Sequence, residues 1–232
     1  MLFYTETSRE TVTDKGGAEL IVIKSDSLKR SNDSANRGET RGCDLVSRFY
    51  ADVDRSFTAY CKNTLARQAD RASAGRTDVG RTDVGRESFR PFAAVKKYTI
   101  TLENEKYLSV VTDASFYNGE GNRKLRTAQN WDINSGLILS FYDIFNPKAE
   151  KKLVKLICEK LTELVVGGSR ALFSDYERLT ARHFRRENFC LTTEGLGIFF
   201  PEGALSAEER PFSVILKYLE LEEGKFLKTT IN

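Results

Sequence analysis

The chain has 232 residues, 40% apolar and 30% charged, and its 36 basic side chains against 33 acidic ones leave a net charge of +3. That is an ordinary balance for a globular protein long enough to bury a core without staples, and so small an excess argues against a nucleic-acid or anionic-membrane binder. No apolar run approaches the roughly 18 residues of a membrane span. The N-terminus Met1–Glu10 turns polar at once, without the basic and apolar regions of a signal peptide. As it stands the chain is expected to be soluble and cytoplasmic, and extracytoplasmic if a leader was removed.

Ala18–Ile23 has strand character, and the polar stretch Lys24–Arg41 reads as a mobile loop. A long helix is expected over residues 44–70, with Asp44 as N-cap. Its apolar face is Leu45, Phe49, Val53, Phe57, Tyr60, Cys61 and Leu65, and Arg48, Asp52, Arg55, Lys62 and Arg67 form its charged solvent face. The segment Arg76–Gly80 is then repeated unchanged as Arg81–Gly85. A tandem copy with glycine at every fifth position reads as an insertion in a loop. The alternative is an anion-binding loop built from Arg71, Arg76, Arg81, Arg86 and Arg90.

Residues 92–116 alternate as a β-hairpin with its turn at Glu103–Lys106. A glycine-rich turn at Tyr117–Asn122 leads to a strand over Lys124–Ile133, and Asn134–Gly136 turns the chain into an apolar extended segment, Leu137–Tyr142. Asn146-Pro147 starts a second long helix with Leu153, Leu156, Ile157, Leu161, Leu164 and Val165 on one face, and Gly167-Gly168 stops it. Ser174 or Asp175 caps a shorter helix running to about Arg185. A strand pair over 188–201 and a last strand over 212–221 complete the chain. In that pair, one of Phe199 and Phe200 should pack in the core and the other face outward or onto a helix.

Hairpins dominate and no βαβ repeat appears. The fold class is therefore α+β, a mainly antiparallel sheet of hairpins with two long helices packed on it. Residues 1–90 are expected to carry the N-terminal strand, long helix and mobile loops, and residues 91–232 an α+β region, the two forming one compact unit.

Chemistry is sparse. Cys43, Cys61, Cys158 and Cys190 form no Cys-x-x-Cys pair, and His183 is the single histidine, so neither a metal nor a cofactor is expected. Cys61 and Cys158 read as buried reduced thiols, a disulfide being the alternative in an oxidising compartment. No nucleophile elbow, phosphate loop or dinucleotide fingerprint is present. Arg178, Arg182, Arg185 and Arg186 read as a solvated helix face diluted by Glu177 and Glu187. Asp132, Asp143 and Glu194 are the carboxylates that acid–base chemistry could draw on, although turns ordinarily contain such residues. No residue is assigned a catalytic role.

Three segments together carry a family resemblance: Trp131–Phe145, the helix from Lys148, and Phe189–Pro201 followed by Phe212–Tyr218 and Leu221. Over about residues 95–222 the chain resembles the family called domain of unknown function 3298, and the helix with Phe49-Tyr50 and Phe57–Cys61 resembles its short clostridial-type members. The resemblance, RsiV-like in kind, implies an α+β fold and a cell-envelope or signalling setting. The family's Gly-Gly-Ala-His turn falls on Gly119-Glu-Gly-Asn122, where only the first residue agrees.

The reading that follows is a non-catalytic binding or regulatory module, in a Gram-positive-type bacterium, for a protein partner or cell-wall fragment. Its ligand-surface candidates are Tyr117, Glu120, Asn122, Asp132 and Glu194. The alternatives are an envelope-polysaccharide hydrolase and a partner surface acting by strand addition or groove binding.

Overall fold

In the computed structural model the described residues are 1–31, 41–77, 89–168, 171–208, 211–228 and 231. The chain opens with an antiparallel hairpin, β1 (Phe3–Thr13) and β2 (Glu19–Arg30). The expected loop from Lys24 is therefore strand as far as Arg30, and residues 32–40 lie outside the described residues. Polar alternation in Lys24–Arg30 gave no apolar signal. The segment is strand because β1 pairs with it along its whole length, Phe3 with Arg30 through Thr13 with Glu19.

Helix α1 (Arg41–Tyr60) passes through one π-helical turn, Cys61–Leu65, into α2 (Ala66–Thr77). Asp44 is not the N-cap. It lies in the first turn, where its carboxylate accepts from Arg30 at 3.0 Å. The buried stripe is Cys43, Val46, Tyr50, Phe57, Cys61 and Leu65, whereas Leu45 and Tyr60 are 38% and 42% exposed. The stripe is rotated because the helix start lies hard against the turn after β5. A Cβ at Gly42 would sit 2.0 Å from the Ile133 carbonyl oxygen, so only glycine allows this crossing.

Three long strands follow: β3 (Phe92–Glu103), β4 (Tyr107–Tyr117) and β5 (Asn122–Asp132). With the two-residue β6 (Leu137–Ile138) they complete a six-stranded sheet in sequence order, antiparallel except where β2 runs parallel to β3. The extended segment expected over Leu137–Tyr142 ends at Ile138. Ser140 and Asp143 form a capping box that starts α3 (Phe141–Ile144), which overrides the apolar run. A 3-10 turn at Pro147–Ala149 leads into α4 (Glu150–Val166), and α5 (Tyr176–His183) follows.

The antiparallel sheet β7 (Phe189–Leu191), β8 (Gly195–Phe200) and β9 (Phe212–Lys217) ends in α6 (Tyr218–Glu223). The last strand therefore stops four residues before Leu221, where the Glu220 carboxylate accepts from the Lys217 amide at 3.2 Å and caps the start of the helix. Both Phe199 and Phe200 are buried, because β8 is the middle strand and is covered on both faces.

Leu153, Ile157 and Leu161 of α4 share one large core with Leu196, Ile198, Val214 and Leu216 of this sheet. The two sheets meet through polar side chains. Thr101 donates to the Leu191 carbonyl (2.7 Å), Asn130 donates to the Phe189 carbonyl (3.1 Å), and the Leu191 amide donates to Asn130 Oδ1 (3.0 Å). Ser109 Oγ of β4 accepts from the same Leu191 amide at 3.1 Å, so β3, β4 and β5 together supply the edge partner that β7 lacks.

Candidate binding end of the six-stranded sheet

β4 and β5 are joined by the tight turn Asn118–Gly121. Asn118 Oδ1 accepts from the Glu120 and Gly121 amides at 3.2 and 3.1 Å. Gly119 has φ +91°, a conformation that selects glycine, and its carbonyl accepts from the Tyr117 hydroxyl at 3.2 Å.

Concavities lie on both sides of that turn. On the helix side a cleft of about 550 Å³ is lined by Tyr60, Leu65, Gln68, Phe116, Glu120 and Arg123. The Tyr60 and Phe116 rings meet edge-on at 5.3 Å in its wall. A hollow of about 100 Å³ under Gly119 is bounded by Ala72, Phe89 and Phe92. On the opposite face a cleft of about 440 Å³ is lined by Val22, Arg90, Val95, Ser115, Tyr117 and Asn122. The Arg90 guanidinium lies 5.0 Å over the Tyr117 ring.

Tyr117, Glu120 and Asn122 are therefore brought together, and Asp132 and Glu194 are not. Asp132 sits at the far end of β5, where Oδ1 accepts from the Asn134 and Ser135 amides at 2.9 and 3.2 Å. Glu194 is exposed in the turn between β7 and β8, and its carbonyl accepts from the Tyr218 amide at 3.4 Å. Asp143 caps α3. Its Oδ2 accepts from the Ser140 hydroxyl and amide, each at 2.7 Å, and those bonds hold its carboxyl below the usual range. None of the three clefts is lined by Asp132, Asp143 or Glu194. Of the arginines read as an anion loop, Arg71 lies on α2 and Arg90 at the cleft, while Arg81 and Arg86 lie outside the described residues.

Sequence reasoning missed Tyr60, Gln68, Phe116, Arg90 and Arg123 as cleft residues. It also missed the most polar point of the interior. Lys96 is only 2% exposed and pairs with Asp54 of α1. Its ammonium donates to the Tyr98 hydroxyl at 3.1 Å, and that hydroxyl donates to Asp54 at 2.7 Å. The ammonium also lies 4.5 Å from the Tyr98 ring centre and 5.3 Å from that of Phe57. Burial, reinforced by the Asp54 carboxylate, drives the Tyr98 phenol strongly upward. The signal was available: Lys96 interrupts the inward alternation of Phe92, Ala94 and Tyr98.

All four cysteines are free thiols. Burial pushes Cys61 up to about 11 and also raises Cys190 and Cys158, so each is held protonated at neutral pH. Among the described residues no group of three or more His, Cys, Asp or Glu side chains could hold a metal. No helix among them is long and apolar enough to cross a membrane.

The fold is that of solved members of the DUF3298 family. A family member from Bacteroides fragilis superposes with a TM-score of 0.65 over 98% of this chain and 93% of its own, at 15% identity. A family protein from Pseudomonas aeruginosa PAO1 superposes with a TM-score of 0.60 over 97% of this chain and 94% of its own, at 11% identity. No family model matches the sequence, and no curated protein matches it. At these identities the likeness is one of fold.

Proposed function

We propose that this protein is a non-catalytic binding or regulatory module that engages its ligand at the β4–β5 end of the six-stranded sheet. The observation that carries the reading is the convergence of all three clefts on the turn from Tyr117 to Asn122. A turn fixed by Asn118 and Gly119 holds aromatic, amide and charged side chains at the protein's end, which is how a rigid scaffold presents a recognition loop. The carboxylates of Asp132 and Asp143 serve local turns, and Glu194 lines none of the clefts, which favours binding over bond cleavage.

The RsiV-like resemblance makes a protein partner or a cell-wall fragment the first ligands to try. Isotope-labelled protein titrated with lysozyme and with muropeptides should show resonance changes centred on Phe116–Arg123, abolished by Tyr117→Ala. Turnover of the muropeptides would make the protein an enzyme. Binding that leaves Phe116–Arg123 unmoved would transfer the site elsewhere.

A further inference from the structure

The six-stranded sheet has a second face, turned away from α1. Alternation and register fix what it displays. Arg9 of β1 stands directly opposite Lys24 of β2, Lys24 beside Val95 of β3, Val95 opposite Ser115 of β4, and Ser115 opposite Lys124 of β5. The adjacent row toward the turn is Thr11, Val22, Ala93, Tyr117 and Asn122, and the next row away from it contains Lys97, Asp113 and Arg126. Arg9, Lys24, Val95 and Lys97 are exposed. At about 4.8 Å per strand, Lys24 and Lys124 stand roughly 14 Å apart on a row that begins at Arg9.

Two features of this face call for an anion. First, Arg9 and Lys24 are a directly opposed like-charge pair, an arrangement that destabilises a sheet. Second, the carboxylate nearest to Lys97 is already committed: Asp113 accepts from Arg126 Nε at 2.7 Å and from Nη2 at 2.9 Å, occupying both oxygens. Among the described residues Arg9, Lys24 and Lys97 form no ion pair. The protein's net charge is only +3, so this concentration reflects segregation of charge onto one face.

The chemistry of the face narrows the anion. Its cations in these rows are Arg9, Lys24, Lys97, Lys124 and Arg126, and ammonium and guanidinium groups alike bond phosphate oxygens. Thr11, Thr99, Ser115 and Asn122 interleave hydroxyl and amide groups that can bond polyol hydroxyls. The only aromatic ring in these rows, Tyr117, is covered by Arg90, so the face offers no stacking platform for nucleobases.

From this arrangement we infer that the open face binds a linear polyol-phosphate chain, held by Arg9, Lys24 and Lys97. This rests on the reading of the protein as a binding module and gives one class of ligand to it. The probe is a synthetic glycerol-phosphate oligomer, measured by calorimetry against polygalacturonate, single-stranded DNA and an acidic peptide.

The oligomer should bind, more weakly as salt rises. Lys24→Glu and Lys97→Glu should each weaken it about fivefold or more, the loss expected when a lysine near an anionic surface is removed. Lys24→Glu also replaces the repulsion facing Arg9 with an attraction, so the unliganded variant should melt higher than the parent while binding worse, which a merely structural lysine would not do. Preferential binding of DNA, polygalacturonate or the peptide, or no binding of the oligomer by a folded protein, overturns the inference. Lys24 and Lys97 line none of the three clefts, so their variants read the face apart from the turn, and loss of oligomer binding with the ligand response at Phe116–Arg123 intact, or the reverse, separates the two readings.

Discussion

The two sheets solve the same packing problem differently. Under the three-stranded sheet, α4 and its neighbours form one continuous apolar cluster that includes Leu153, Ile157, Leu161, Leu191, Phe200 and Leu216. Under the six-stranded sheet the core is divided. Tyr50, Tyr98, Trp131 and Phe3 form one cluster, and Phe57, Cys61, Ile21 and Phe92 another. Asp54 stands between Tyr50 and Phe57 on α1, and Lys96 between Ala94 and Tyr98 on β3, so the ion pair lies where the clusters part. A buried pair contributes little net stability compared with apolar packing, yet half of one is costly. The first half of the molecule thus carries a polar pin where its two clusters part, and the second is held by bulk burial.

Removing half of the pin should have the largest effect. Asp54→Ala leaves the Lys96 ammonium buried without its carboxylate and should cost about 3–5 kcal/mol in denaturant unfolding. The double variant Asp54→Leu with Lys96→Met should recover most of that loss. If it does not, the pin contributes net stability and the contrast between the halves fails. In the apolar half Leu153→Ala should cost about 2–5 kcal/mol through transfer and cavity terms, and no second substitution nearby should rescue it.

The junction between the halves is the next place to test. Asn130 is 2% exposed and satisfies both the Leu191 amide and the Phe189 carbonyl. Asn130→Ala should cost about 1–3 kcal/mol, because the buried Phe189 carbonyl loses its side-chain donor and the Leu191 amide keeps only Ser109 Oγ, 3.1 Å away. Hydrogen exchange should show faster exchange of the Leu191 amide. Unchanged protection there would mean that Ser109 alone secures the Leu191 amide.

Acid should loosen the C-terminal half by a smaller amount. Lys160 pairs with Glu220 at 2.6 Å, and its hydrogen bond holds that carboxyl below the ordinary value of 4.5. The folded pKa is depressed, so the contribution is complete above the unfolded value and is lost as pH falls through the folded one. Melting curves taken from about pH 6 to pH 3 should fall less steeply in Lys160→Gln. The smallest effect belongs to Leu45, assigned to the buried face by periodicity but 38% exposed: Leu45→Ala should change stability by about 0.5 kcal/mol or less.

Helices α4 and α1 show how periodicity succeeded and failed. In α4 the spacing named Leu153, Ile157 and Leu161, which are buried on a single apolar sheet face, and Leu156 and Leu164, which are partly buried, but Val165 in the last turn is 37% exposed. In α1 the same reasoning chose Leu45 and Tyr60, but Gly42 locks the helix start against the Ile133 carbonyl and turns Val46 and Tyr50 inward. Of the binding end, the turn Tyr117–Asn122 was legible from its glycines and polar residues. Tyr60, Gln68 and Arg90 were not, since they reach the same clefts from distant points in the chain. Asp132 and Glu194 resembled site residues because a turn carboxylate and a functional one are alike in sequence.

Local chemistry by itself determined the α+β class, the hairpin of β3 and β4, the proline start and glycine stop of α4, and the β7–β8 pair. Each depends on side chains within a few residues of one another, where alternation, capping and turn preference act directly. Tertiary structure alone decided that polar β1 is a strand, that Lys96 is buried, and that Arg9 faces Lys24 on an open basic face. Those outcomes depend on which strand pairs with which, and pairing energy resides in contacts between residues far apart in the chain, where local pattern has no purchase.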